Sequence, residues 1–148
     1  MIQKSQKGLG LLEVLLVIAI TATILVMATR FFVVANDNLQ VSQSITQIDK
    51  ITKASYKWLA MHRMSDFSTD DGVTMSDLVD SGLLTKRDER SPWGGEVTVE
   101  AGTDPSHVLV TFLNVSQGNC KSLSQRLSSV AHTETLQEAC EGTYAGEF

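Results

Sequence analysis

The sequence predicts an α+β protein: one long N-terminal helix packed on a small antiparallel β-sheet. Three observations carry that expectation. From Leu9 to His62 there is no proline, and Gly10 is the only glycine. Residues 96–100 alternate apolar and polar side chains, and a second β-rich run follows at 107–112. The chain has 148 residues, which suits one domain plus an anchor.

The long helix comes first. Fifty-four residues at about 1.5 Å each would reach roughly 80 Å. Its first part, residues 9–28, is apolar except for Gly10, Glu13, Thr21 and Thr23. That length crosses a hydrocarbon core of about 30 Å. Glu13 is the anomaly, because a carboxylate inside a spanning helix costs about 3 kcal/mol. It therefore marks a candidate functional position. A secretory signal peptide and a simple bitopic anchor also begin with a basic flank and an apolar run. A signal-peptide core is usually about 7–15 residues, shorter than this one. Anchoring gives Glu13 no task.

After Arg30, which marks the outer membrane boundary, the pattern changes. Phe31 and Phe32 suit an interfacial or subunit-contact position. Residues 36–38 are weak helix formers. Val41, Ile45, Ile48, Ile51, Ser55, Trp58 and Met61 then recur at three- and four-residue steps. Asp49, Lys50, Lys53 and Lys57 lie opposite, so this half is expected to pack one face on a domain.

Residues 62–74 are polar and read as a loop. Asp66, Asp70 and Asp71 lack the ligand spacing of a calcium loop. A capping-box-like start at Thr74 and Asp77 predicts a short helix over 75–81, with Gly82 at its end. Leu78, Val79, Leu83 and Leu84 are its expected core residues. Residues 86–90 read as a charged, exposed connector and residues 91–95 as a turn. The runs 96–100 and 107–112 form a hairpin, with Val97 and Val99 on one face. A helix is predicted over 120–129, with Leu123, Leu127 and Val130 inward. Thr143 and Tyr144 are placed in a short final strand beside the hairpin.

Charge and cysteines bound the compartment. The net charge is −5, and it falls to −7 after Gly8 because Lys4 and Lys7 precede that point. An acidic body argues against nucleic acid as a main partner. Lys4 and Lys7 hold the N-terminus in the cytoplasm by the positive-inside rule, which places the remainder outside the inner membrane. Cys120 and Cys140 are the two cysteines, an even pair in an exported domain. A disulfide between them would close a loop of about 20 residues and contribute roughly 3 kcal/mol. A metal pair is the alternative, although neither Cys-x-x-Cys spacing nor a close histidine accompanies them.

No catalytic motif stands out. His62, His107 and His132 are far apart in sequence, and Ser124 lacks the glycine pattern of a nucleophile elbow. No catalytic residue, metal ligand or cofactor is expected. Asn114-Val115-Ser116 matches a glycosylation sequon by chance.

The junction Lys7-Gly8-Leu9, with Glu13 fifth from Leu9 and a long apolar run behind it, resembles the N-terminus of type IV pilins. Gly10 is a second possible cut, but it would put Glu13 third. The resemblance implies cleavage between Gly8 and Leu9 by a prepilin peptidase and methylation of the Leu9 amine. It also implies that Glu13 pairs with the Leu9 amine of an adjacent subunit during assembly. Residues 1–8 would be the leader and 9–29 the transmembrane and assembly half of the helix. Residues 30–148 would be the globular pilin domain, periplasmic and then extracellular. Pro92-Trp93-Gly94-Gly95 and the following strand are similar to the turn and strand of type IVb pilins, as is the order strand, Cys120, short helix, Cys140. The implied function is a structural subunit polymerised with identical or related pilins into a surface fibre for adhesion, aggregation, conjugation or secretion. A minor pilin, or a pseudopilin of a secretion system, shares the N-terminal signature. An anchored periplasmic enzyme is the remaining alternative.

Overall fold

The computed structural model describes residues 6–67, 72–132, 140 and 142–148, with side chains from residue 10 onward. Residues 1–5 of the expected leader, and Asp70 and Asp71, lie outside the described residues. The elements in chain order are α1 (Gln6–His62), α2 (Met75–Asp80), β1 (Val97–Ala101), β2 (Val108–Val115), α3 (Gln117–Leu127) and β3 (Gly142–Glu147). The chain divides into two compact units, one up to Asn38 and one from Leu39 to Phe148.

In the first unit, α1 is apolar all round. Leu11, Leu12, Val14, Ile18, Leu25 and Phe31 are all exposed. Its threonine hydroxyls are satisfied locally. The Thr23 hydroxyl donates to Ile20 O at 2.7 Å, Thr29 donates to Leu25 O at 3.0 Å, and Thr21 donates to Val17 O. Bonding back to the preceding turn lets a hydroxyl sit on an apolar helix without an unpaired donor.

The second unit forms around the amphipathic half of α1. Val41, Ile48, Ile51, Ser55 and Trp58 are buried, and Ser44 and Ala54 join them. Met61, expected in that stripe, is 59% exposed. The helix ends at His62, and Arg63 takes a φ of 56°, so the last turn has left the core face. The polar loop that follows carries two core residues that its composition hides, Phe67 and Val73. Phe67 sets its ring edge against Tyr56 at 5.4 Å, and its amide donates to Pro105 O.

Helix α2 has the predicted cap. Thr74 Oγ1 accepts from the Asp77 amide, and the Asp77 carboxylate accepts from the Thr74 amide at 3.0 Å. Ser81 is the C-cap, and Gly82 follows with a φ of 72°. That left-handed geometry suits glycine at the position after a helix. Leu78 and Leu84 are buried, while Val79 and Leu83 are half-buried.

The sheet has three antiparallel strands in the order β1-β2-β3. Val97 pairs with Phe112 and Phe112 with Tyr144, so one register row places three buried side chains together. Val99 and Val110 form the next row. These side chains share one core with the amphipathic half of α1. The final strand runs six residues rather than the two expected, and β2 extends to Val115 through a register shift beyond Leu113. Asn114 has a φ of 61° at that shift, as an asparagine in a bulge can tolerate.

Helix α3 starts three residues earlier than expected. Ser116 is its N-cap, accepting from the Asn119 amide. Leu123 and Leu127 are inward, but Val130 is 68% exposed because the helix ends at Leu127. The connector 86–90 is also not simply exposed. Asp88 and Glu89 are half-buried, and the Gln47 amide donates to the carbonyls of Asp88 and Arg90 at 2.8 and 3.0 Å.

Candidate functional site

The N-terminal candidates lie on α1. The backbone is helical from Gln6, so Gly8, Leu9 and Glu13 occupy one continuous helix. Positions 9 and 13 are four residues apart and so share a face, about 6 Å apart along the axis. Glu13 is exposed among exposed apolar neighbours, including Leu12, Val14, Leu16 and Val17. Among the described residues, α1 is the one helix long and apolar enough to cross a membrane. None of its most apolar stretch is buried within the chain. Such a surface requires lipid or other helices around it. A carboxylate there requires a cation or a hydrogen-bond donor from the same surroundings.

The cysteine pair is a disulfide. Cys120 and Cys140 are bonded, with Cα atoms 5.6 Å apart. The bond ties the first turn of α3 to the approach to β3. Cys120 also lies beside the Thr143 carbonyl at 3.6 Å. Both cysteines are buried, so the bridge is part of the core rather than a surface clasp.

The three histidines separate into two environments. His62 stacks on Trp58 one turn earlier, with ring centroids 4.2 Å apart and its Nδ1 2.9 Å from Trp58 O. His107 and His132, 25 positions apart in the sequence, are stacked with centroids 4.0 Å apart and planes 11° apart. Their remoteness in sequence therefore misleads. Asp104 completes the group, its Oδ2 3.7 Å from His107 Nδ1. Its other oxygen accepts from the Ser106 amide at 2.9 Å and hydroxyl at 2.7 Å. Those two bonds hold the Asp104 carboxyl below the usual carboxylate range, and the two histidines add to the effect.

Further bonds hold the segments that carry this group. The Tyr56 hydroxyl donates to Ser106 O at 2.9 Å and Phe148 O at 3.2 Å. Burial, and then the Asp104 charge, push the Tyr56 phenol up, which keeps that donor protonated. The His132 amide donates to Glu147 O at 2.9 Å. Glu147 is buried, and its Oε1 accepts from the Thr103 amide at 2.6 Å. No local sequence signal announces the group, since it depends on the pairing of β2 with β3.

Residues 3–29 match the family model described as the prokaryotic N-terminal methylation motif, the type IV pilin and prepilin signature. The match takes in Gly8, Leu9, Glu13 and most of the apolar run. The motif is a substrate signal for prepilin peptidase and for pilin polymerisation, and it points toward a structural protein. The N-terminal part of this chain is thus pilin-like or pseudopilin-like. No curated protein matches the chain.

Proposed function

We propose that this chain is a structural subunit of a type IV pilus. Prepilin peptidase cuts between Gly8 and Leu9, the Leu9 amine is methylated, and the mature subunit polymerises through its N-terminal helix. Before assembly the subunit rests in the inner membrane with its N-terminus cytoplasmic and its globular part, residues 30–148, periplasmic. After assembly it is extracellular, in a fibre that serves adhesion, aggregation, conjugation or secretion. The observation that carries this reading is Glu13. It stands fifth from Leu9 within the matched motif, on a helix whose most apolar stretch is uncovered.

The chemistry follows from the low dielectric around that carboxylate. Cleavage after Gly8 frees a cation at Leu9, the charge that Glu13 lacks. A contact between subunits then sets axial register as each helix enters the bundle. Removing one partner of such a buried pair costs about 3–5 kcal/mol.

The test compares sheared-fibre yield with total cleaved subunit in cells. Glu13→Ala is expected to be inserted and cleaved normally but to give no fibres, and Glu13→Asp to be intermediate. Gly8→Val is expected to leave uncut precursor, because a branched side chain crowds the scissile bond. Wild-type fibre yield from Glu13→Ala with processing intact would sink the assembly role. A minor pilin or pseudopilin shares the motif, and subunit copy number in purified fibres separates these from a major subunit. The Cys120–Cys140 bridge favours the pilin.

A further inference from the structure

We propose that Asp104, His107 and His132 form a binding site for a divalent transition cation of the zinc class, which clips the β1–β2 turn to the segment after α3. Three ligand atoms, one from each residue, lie within 4.8 Å of one another. A carboxylate and two imidazoles are a donor set for zinc, nickel or copper rather than for calcium or magnesium, which take oxygen. The Cys120 and Cys140 sulfurs are tied up in the disulfide, so thiolate does not compete for the ion.

The group is built rather than incidental. Its residues come from two distant segments, each secured by main-chain bonds. The His107 amide donates to Asp104 O at 2.9 Å, and Gly102 N donates to His107 O at 2.9 Å. The His132 amide is held by Glu147 O at the end of β3. Within the group His107 Nδ1 already meets the Ser106 hydroxyl at 3.1 Å, and the second Asp104 oxygen is the underused atom. Asp104 Oδ1 takes both Ser106 donors, while Oδ2 stands 3.7 Å from His107 Nδ1, too far for a good hydrogen bond. Metal–nitrogen and metal–oxygen bonds of about 2.0–2.2 Å bring ligand atoms to roughly 3.5 Å separation. The required contraction is about one ångström, and it falls on the exposed side chains of Asp104 and His132. The two rings are stacked 4.0 Å apart and near-parallel, so binding one ion through both tilts the stack open. Solvent access at Asp104 and His132 leaves room for water as a fourth ligand, which describes a structural clip with an open position. The site lies in the second compact unit and does not depend on the N-terminal reading.

The experiment uses the full, untagged chain in detergent, titrated with Zn²⁺ by calorimetry while the histidine ring signals are followed by NMR. One equivalent is expected, with the His107 and His132 ring signals moving together and His62 unmoved. Because a metal takes the neutral imidazole, affinity falls as the solution is acidified. His132→Gln and Asp104→Asn should each weaken binding at least about tenfold, since even loss of an outer-shell partner costs that much. His62→Gln should leave binding unchanged, and Ca²⁺ should give no saturable response. His132 is exposed, so its variant tests the site without disturbing the core. No Zn²⁺ uptake, equal affinity in His132→Gln, or Ca²⁺ binding as tight as Zn²⁺ would each overturn the proposal.

Discussion

Asp88 Oδ2 lies 2.7 Å from Lys50 Nζ, joining α1 to a segment 38 residues further along the chain. The same oxygen accepts from the Thr85 amide at 2.8 Å and the Thr85 hydroxyl at 2.7 Å. Lys50 is half exposed, so the ion pair alone is worth little. The three donors together matter more, because they converge on one carboxylate that is largely out of water.

Burial pushes the Asp88 carboxyl up, but the hydrogen bonds from Lys50 and Thr85, with the Lys50 charge, outweigh it and hold the group below its ordinary range. A carboxyl depressed on folding contributes stability above its unfolded value near pH 4 and loses it as the pH falls through the folded value. Asp88→Asn is therefore expected to cost about 1–2 kcal/mol at neutral pH, the difference between a charged and a neutral acceptor. The gap from wild type should close as the pH drops below about 4. Denaturant unfolding of both proteins across the acid range measures this, and a gap independent of pH would refute it.

Gly95→Ala should be among the most damaging small changes in the domain. A β-carbon at Gly95 would stand 1.9 Å from Leu113 O and 2.5 Å from Leu113 C, both backbone atoms of β2. Neither can yield without breaking the Leu113 N to Glu96 O bond. A loss of about 3 kcal/mol is expected, at the upper end for overpacking. Gly118→Ala is the control. It sits in α3 with open space around it, and the better helix former should gain up to about 1 kcal/mol. Equal thermal midpoints for the two variants would contradict the close approach.

Tyr144→Phe is expected to be neutral or to stabilise by up to about 1 kcal/mol. The Tyr144 hydroxyl is buried and finds no hydrogen-bond partner among the described residues. Burial alone raises its ionisation well above the ordinary phenol range, so the group stays neutral yet unsatisfied. Its ring contact with Phe112 at 6.4 Å survives the substitution. A measured loss above about 1 kcal/mol would reveal a partner for the hydroxyl, such as a bound water.

The sequence is most informative where a single local period or junction carries the information. The three- and four-residue stripe from Val41 to Trp58 and the alternation at Val97 and Val99 fall on buried faces as predicted. So does the Thr74–Asp77 cap, whose two partners are three residues apart. Phe67 and Val73 escape notice because a polar loop surrounds them; Phe67 gains its place by meeting Tyr56 of α1 and the β1–β2 turn, and Val73 by joining the shared core. Met61 and Val130 err the other way. Each continues an apolar period past the point where its helix stops turning toward the core. The role of Asp88 and the stack of His107 on His132 are invisible for one common reason. Both arise between segments that meet only after the chain has closed on itself. The Gly8, Leu9 and Glu13 assignments are the converse case, legible as a sequence signal and resting on surroundings beyond the single chain.

In the proposed extracellular setting, the buried bridge between Cys120 and Cys140 has a consequence for attack by proteases. Those cysteines bracket every peptide bond between residues 120 and 140, so one cut there produces two fragments that remain a single covalent molecule. β3 keeps its ladder with β2, and the severed piece cannot diffuse away. A cut of this kind would add one water to the mass and release two fragments only when a reductant was added. Tolerance of a broken backbone is a form of durability distinct from resistance to unfolding.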